Sequence, residues 1–132
     1  MSEENVEIVR RSVGAYERGD FPALLAMFSS DVVTRQTPPI PDARTYQGRE
    51  GVMQALSDYT EAFDDFVMTG EELIDAGTKV VVRVHQDARG AESGVPVAGD
   101  FWFVYTVGEG KIEQLEMFNY ETQALEAAGL SN

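Results

Sequence analysis

The sequence contains no cysteine and only one histidine, and its 23 acidic residues outnumber its 10 basic ones. Without cysteine the chain forms no disulfide and has no thiolate nucleophile, which is compatible with the reducing cytoplasm where we expect it to act. The formal net charge of −13 repels nucleic-acid phosphates and anionic membranes, so we expect neither as a partner. We interpret the acidity as a solubility-favouring surface.

Long apolar runs and the common catalytic motifs are also missing. No stretch approaches the roughly 20 apolar residues that cross a bilayer, and the first residues do not resemble a signal peptide. The sequence contains neither a glycine-rich phosphate loop nor a Gly-x-Ser-x-Gly motif. One histidine and no carboxylates at ligand spacing provide little for a metal ion, so we expect no metal and no cofactor.

The sequence predicts a single domain over residues 1–132, in which helical patterns precede a run of strands. The predicted elements are, in chain order, the helices Ser2–Arg18 and Phe21–Phe28, the strand Asp31–Thr37, the helix Gly48–Phe63, the strands Phe66–Ile74 and Thr78–Gln86, a long hairpin over Asp100–Tyr120, and a closing helix Thr122–Leu130. This order favours an α+β fold, in which a curved antiparallel sheet has helices on one face and leaves an apolar pocket.

The hairpin between Asp100 and Tyr120 carries large apolar side chains on both faces of its first strand, which is typical of a strand covered on both sides. Its tight turn contains glycines that supply the positive φ of hairpin turns. The inner row, which we expect to line the pocket, is Phe101, Phe103, Tyr105, Leu115, Met117 and Asn119. The outer row, which predicts a homodimer through this face, is formed around Trp102, Val104 and Phe118.

Short motifs along nearly the whole chain carry a resemblance to a known superfamily. They are Tyr16–Asp20, Tyr46–Val52, Glu72–Gly77, Gly110–Ile112 and Ala124–Leu130. In this order they resemble SnoaL-like proteins of the NTF2-like, or ketosteroid-isomerase-like, superfamily. The resemblance implies a cone, with a mixed or antiparallel sheet wrapped around three N-terminal helices and a pocket for a small apolar molecule. These motifs form helix joins and turns, so they specify shape more than reaction.

The catalytic residues of that superfamily have no matching residues here. By the resemblance, the tyrosine, carboxylate base and protonated aspartate of ketosteroid isomerases fall on Ser12, Gln36 and Phe103. Gln36 cannot abstract a proton and Phe103 cannot donate to an oxyanion, so ordinary steroid isomerisation is disfavoured. Neither the aspartate–histidine arrangement of SnoaL-type cyclases nor the Asp-Arg-Asp arrangement of limonene-epoxide-hydrolase-like members finds convincing positions.

His85 is the natural candidate for a general base, because it is the one side chain with an ordinary pKa near neutrality. It shares a strand face with Arg83, opposite Val80, Val82 and Val84. If the valines face the pocket, His85 faces outward, to solvent or to a subunit interface, unless a bulge reverses the alternation.

Polar residues on the predicted pocket walls provide the remaining candidates. Gln36, Thr34 and Asn119 either orient a ligand carbonyl or hydroxyl, or satisfy a strand end or turn. Tyr16 and Tyr59 lie on helix stripes, as pocket phenols or as ordinary core aromatics. The complete predicted pocket is Ser12, Tyr16, Thr34, Gln36, Tyr59, Phe63, Phe101, Phe103, Tyr105, Met117 and Asn119.

Two functions fit these observations. The first is a cofactor-free isomerase, cyclase or hydrolase that acts on a polyketide- or terpenoid-like substrate, with Gln36, Asn119 and His85 as weak catalytic candidates. The second is a non-catalytic ligand-binding protein or dimeric interaction module on the same fold. A carboxylate or histidine inside the pocket would support the enzyme, whereas a lining of tyrosine, phenylalanine, methionine and amides would support binding.

Overall fold

The computed structural model describes residues 2–40, 43–61 and 63–130, except for the side chains of Ser2 and Tyr59. Within these residues the helices are α1 Ser2–Glu17, α2 Phe21–Ala26, α3 Gly48–Glu61 and α4 Glu121–Ala127. The strands are β1 Phe28–Gln36, β2 Thr45–Gln47, β3 Phe63–Ala76, β4 Lys79–Gly90, β5 Pro96–Gly108 and β6 Lys111–Phe118. The α+β class predicted from the sequence is confirmed. None of the described helices is long and apolar enough to cross a membrane.

The strands form one curved, unclosed sheet in the order β2-β1-β6-β5-β4-β3. Every neighbouring pair is antiparallel except β1 and β6, which run parallel, so the sheet is mixed. Register shifts interrupt the pairing of β1 with β6, β3 with β4 and β5 with β6. Such irregularities bend strands and increase their twist, which suits a sheet that curls around helices.

The concave face of the sheet and the helices α1, α2 and α3 enclose the main apolar core. Strand β4 shows how alternation produces this core, since Val80, Val82 and Val84 belong to it while Val81 belongs to a second cluster on the convex face. Each fully buried valine contributes on the order of 1.5–3 kcal/mol to the free energy of folding. The alternation of β4 therefore places three of its valines in the main core and one in the cluster on the convex face.

Helix α1 approaches strand β3 closely at Gly70. A Cβ atom at this position would lie 2.6 Å from Cγ1 of Val13, well inside ordinary van der Waals contact. The Gly70 amide also donates to Oε2 of Glu17 at 3.1 Å. Gly70 is therefore required by the spacing between α1 and the sheet.

Most elements differ from the sequence prediction by a few residues at their ends, and two of the boundaries differ at a phenylalanine. Phe28 begins β1 instead of ending α2, and Phe63 begins β3 instead of ending α3. A large apolar side chain at the end of an element fits both the helical and the strand pattern of apolar residues. Strand pairing decides between them here, because Phe28 pairs with Ile112 and Phe63 pairs with Gly90. Strand β2 was predicted as loop, since a run of three residues is too short to show alternation, and it forms by pairing with β1.

The outer row of the β5–β6 hairpin is covered by the chain itself. Helix α4 packs over Val104 and Phe118, which are 0% and 6% exposed, through Ala124 and Ala128. The expectation that Val104 and Phe118 are free to meet a partner subunit is therefore wrong, although the homodimer itself stays a prediction. Trp102 lies partly buried beside this cluster.

Candidate ligand site

Two neighbouring chambers lie between the helices and the concave face of the sheet. The inner chamber has a helix wall of Ser12, Val13, Tyr16, Leu24, Val52 and Leu56, and a strand wall that includes Phe28, Thr34, Val84, Phe103, Tyr105 and Leu115. The second, here called the loop-side chamber, is lined by Ile40 of the loop after β1, Thr60 in the last turn of α3, and strand residues that include Gln36, Phe66, Gln86 and Phe101.

Both chambers are small. Water centres can occupy about 50 Å³ of the inner chamber and about 40 Å³ of the loop-side chamber. A single water needs about 10–15 Å³ by the same measure. Each chamber therefore accommodates a few waters or one ring of a small molecule.

Four side chains line both chambers and form the wall between them: Leu56, Met68, Phe103 and Met117. Two of the four are methionines, which are unbranched and have three rotatable bonds. The wall can therefore change shape through side-chain rotation, without a shift of the backbone.

The described lining carries no aspartate, glutamate, histidine, lysine or arginine in either chamber. The titratable groups that line the inner chamber are the phenols of Tyr16 and Tyr105, and burial raises the pKa of both. Both phenols therefore stay protonated near neutral pH, where they serve as hydrogen-bonding groups and not as bases. The described lining is neutral and lacks a group that would take a proton from carbon.

Two hydroxyl groups of the inner chamber have no hydrogen-bond partner among the described residues. Ser12 lies on the buried face of α1, and Thr34 lies on β1; each is only 1% exposed. Within that part of the chain, neither Ser12 Oγ nor Thr34 Oγ1 makes a hydrogen bond. A buried hydroxyl without a partner costs about 1–3 kcal/mol, so a ligand or bound water is expected to satisfy them.

In the loop-side chamber, the side chain of Gln36 is hydrogen-bonded to the protein backbone, unlike the two hydroxyls of the inner chamber. The side-chain Oε1 of Gln36 accepts a hydrogen bond from the backbone N–H of Arg44 at 3.1 Å. The backbone N–H of Gln36 donates to the carbonyl oxygen of Arg44 at 2.9 Å. Its side chain therefore holds the strand against the loop that follows it. Gln86, 2% exposed, also lines this chamber and was missed by the sequence analysis. The alternation that places Val82 and Val84 inside continues to Gln86 and would have identified it.

Most of the predicted pocket residues line one or both chambers. The inner chamber contains Ser12, Tyr16, Thr34, Phe103, Tyr105 and Met117, and the loop-side chamber contains Gln36, Phe101, Phe103 and Met117. This is a statement of position, and their roles stay predictions.

Two predicted pocket residues, Phe63 and Asn119, line neither chamber, and a third, Tyr59, cannot be placed. Phe63 is not among the lining residues, because it starts β3, where its ring lies 6.3 Å from that of Phe66. Asn119 is also absent from the lining, because β6 ends at Phe118 and the chain turns towards α4; its buried Oδ1 has no partner. The side chain of Tyr59 lies outside the described residues.

His85 lies on the convex face, away from both chambers. Its Nδ1 is 2.8 Å from Oδ1 of Asp100 and its Nε2 is 3.2 Å from Oδ2 of Asp87. Arg83 reaches the other oxygen of Asp100 at 3.3 Å. The hydrogen bond to Asp100 raises the pKa of His85 and lowers that of Asp100. Among the described residues, no group of three or more histidines and carboxylates is arranged to hold a metal ion.

A curled sheet with helices on its concave face and a cavity between them defines the NTF2-like class of folds, which includes the ketosteroid-isomerase-like proteins. A family model for the SnoaL-like domain matches residues 9–115. The chain therefore belongs to the SnoaL-like family, which confirms the resemblance found in its motifs. No curated protein sequence matches the chain.

Solved structures share the fold at low sequence identity. An NTF2-like protein from Burkholderia thailandensis is 22% identical over 96% of this chain and 98% of its own, with a TM-score of 0.80. TerC, co-crystallized with polyporic acid, is 19% identical over 96% and 98%, with a TM-score of 0.77. A proposed polyketide cyclase from Sinorhizobium meliloti is 24% identical over 84% and 93%, with a TM-score of 0.66. These likenesses establish the fold and not the ligand.

Proposed function

We propose that this chain binds a small, uncharged and mostly apolar ligand in the two chambers. The observation that carries the proposal is the described lining, which offers hydroxyl, phenol and amide groups on an apolar wall but no ionised side chain. A charged ligand would lose its hydration there without gaining a counter-charge, at a cost of several kcal/mol. An apolar ligand gains about 25 cal/mol for each Å² of its surface that leaves water.

The fold supports a role in small-molecule binding. TerC, a protein of this fold, was crystallized with polyporic acid. The wall formed by Leu56, Met68, Phe103 and Met117 lets the chambers join when those side chains rotate, which suits a ligand longer than one ring.

A cofactor-free isomerase, cyclase or hydrolase acting on a polyketide- or terpenoid-like substrate is the second candidate. The proposed cyclase from Sinorhizobium meliloti has the same fold, and the protonated phenols of Tyr16 and Tyr105 are suited to polarise a carbonyl group. Catalysis would then rely on hydrogen bonding alone, because the described lining provides no base. Binding without turnover is therefore the better supported of the two functions.

The binding proposal is tested by filling the chambers. Leu56→Trp places a large ring in the wall between them, whereas Val95→Trp adds the same ring at a position that is 57% exposed. Freshly isolated protein is examined by native mass spectrometry, and neutral apolar compounds are titrated by NMR. We expect binding in the natural chain and in Val95→Trp, and at least a tenfold loss in Leu56→Trp. Equal binding by all three proteins, or none by the natural chain, would overturn the proposal.

We also propose that two copies pair through the part of the convex face that α4 leaves open. There Val67, 58% exposed, pairs with Asp87, and the neighbouring Thr69 pairs with His85. This surface carries both charge signs, because Arg83 and His85 lie beside acidic residues, so a second copy related by a two-fold axis can meet it with complementary charges. A cytoplasmic location stays the expectation drawn from the composition.

A further inference from the structure

We infer that the inner chamber recognises its ligand at two separate points, through one hydrogen bond from Ser12 and one from Thr34 to oxygen atoms of a neutral molecule. This inference rests on the proposed ligand binding and adds the chemical class of the ligand. It does not depend on whether the ligand is converted to a product.

The first step of the argument is the state of the two hydroxyls. More than nine in ten buried polar groups of folded proteins have a hydrogen-bond partner. Here Ser12 Oγ and Thr34 Oγ1 lack one among the described residues, and both residues are 99% buried and line the same chamber. A matching ligand would supply the hydrogen bonds that these two hydroxyls do not make within the described part of the chain.

The second step is their placement on different walls. Ser12 belongs to the helix wall, on α1, which packs against β3, β4 and β6. Thr34 belongs to the strand wall, on β1, where it pairs with Tyr46 on one side and Leu115 on the other. The two hydroxyls therefore come from different elements that enclose the same chamber. We expect a ligand between the helix wall and the strand wall to present one oxygen to each.

The third step is the chemistry of the contacts. A hydroxyl both donates and accepts, so each point binds a carbonyl, ether or hydroxyl oxygen. A carboxylate at either point would be a buried charge without a described counter-charge in the chamber. The ligand class is therefore a neutral compound with two oxygen functions, such as a diketone or a diol.

The experiment compares three rings of the same size: cyclohexane, cyclohexanone and cyclohexane-1,4-dione. Affinities are measured by NMR titration for the natural chain and for Ser12→Ala, Thr34→Val and the double variant. We expect the dione to bind the natural chain most tightly. Each single variant should weaken the binding of the dione by about 2- to 12-fold, because one hydrogen bond contributes about 0.5–1.5 kcal/mol. Cyclohexane should bind all four proteins equally well or slightly better when hydroxyls are removed.

The matched control is Ser29→Ala on the same strand as Thr34, since the Ser29 hydroxyl already accepts from the Asp31 amide at 3.1 Å. It should leave all three affinities unchanged. If no ring binds the natural chain, the proposed ligand binding itself fails. If the rings bind but the dione has no advantage, or only one of the two hydroxyls affects it, two-point recognition is wrong while apolar binding stands. Comparable binding of cyclohexanecarboxylate would overturn the assignment of a neutral ligand.

Discussion

Two regions of the sheet differ in how their polar groups are satisfied: the cluster around His85 on the open part of the convex face, and the inner chamber on the concave face. On the convex face, Arg83, His85 and Asp100 form a connected set of ion pairs and hydrogen bonds. On the concave face, Ser12 and Thr34 are buried with unpartnered hydroxyls. The convex set is paired within the chain and partly exposed to water, whereas the two chamber hydroxyls have no hydrogen-bond partner among the described residues.

This difference indicates where a small molecule belongs. No acidic side chain is among the described lining residues, so a ligand in the chambers would meet an apolar wall with a few neutral hydrogen-bonding groups. His85, the only histidine and the natural candidate for a general base, lies instead in the ion-paired cluster on the convex face. Chemical reactivity of a residue type is therefore a weaker guide to this site than an unmet hydrogen-bonding requirement.

The largest expected effect comes from opening the concave face. Phe28 is 1% exposed and lines the inner chamber, so Phe28→Ala should lower the free energy of unfolding by about 3–5 kcal/mol. Phe21→Ala, at a residue that is 39% exposed, should cost less than about 1 kcal/mol. Urea unfolding followed by circular dichroism measures both. Equal losses would mean that the chamber wall is not part of the stabilising core.

The proposed dimer contact on the open part of the convex face is tested by measuring the oligomeric state of the protein. We expect light scattering at micromolar concentration to give the mass of two chains. Val67→Glu should weaken the dimer at least about tenfold, because it places a charge at the proposed contact. Val95→Glu changes an equally exposed valine outside that surface and should have no effect. If light scattering gives the mass of one natural chain, the proposed dimer contact on the convex face is wrong.

The hydroxyls of Ser12 and Thr34 should also affect the free energy of unfolding in the absence of a ligand. Ser12→Ala and Thr34→Val each remove an unpartnered buried hydroxyl, so stability should stay unchanged or rise by up to about 1 kcal/mol. Ser29→Ala should instead lose about 0.5–1.5 kcal/mol, because the Asp31 amide loses its acceptor. Thermal and urea unfolding measure these changes. A clear loss of stability in both chamber variants would show that the hydroxyls already have partners.

The smallest expected effect is the pH dependence of the convex face. The pKa of His85 is raised mainly by its hydrogen bond to Asp100, with Asp87 adding to the effect. Arg83 lies on the same strand, and the residue opposite on β3 is the neutral Thr69. The stability from His85 is therefore fully present below the unfolded pKa of about 6.5, and it is lost as the pH rises through the higher folded pKa.

His85→Asn removes the only histidine and tests this dependence. Between about pH 6 and pH 9, the natural chain should lose more stability than the variant, as measured by urea unfolding at a series of pH values. Both proteins carry the same chambers, so any shared slope belongs to other groups. Superimposable profiles would show that the His85–Asp100 contact contributes nothing to folding.

Much of the architecture was predictable because it depends on local alternation. The row of Val80, Val82 and Val84 identified the concave face of β4, and the hairpin over Phe103 and Met117 identified two residues of the chamber wall. The superfamily motifs identified the fold because they mark helix joins and turns along most of the chain.

What could not be predicted depends on tertiary contacts. The alanine-rich stripe of α4 predicts a helix but does not specify that it packs over Val104 and Phe118. Asn119 follows the alternation of β6 in sequence, yet the strand ends one residue earlier because the chain turns. The missing partners of Ser12 and Thr34 are also invisible in the sequence, because hydrogen-bond satisfaction is a property of the assembled core.

The absence of a side chain at Gly70 affects both the inner chamber and the packing of α1. Because one added methyl group would meet Cγ1 of Val13 at 2.6 Å, the Val13 side chain or the backbone that carries it would have to shift to accommodate it. Gly70 and Val13 both line the inner chamber, so the same change would alter the width of the cavity. A larger residue at position 70 would therefore affect the chamber and the packing of α1 together, although Gly70 itself offers no functional group.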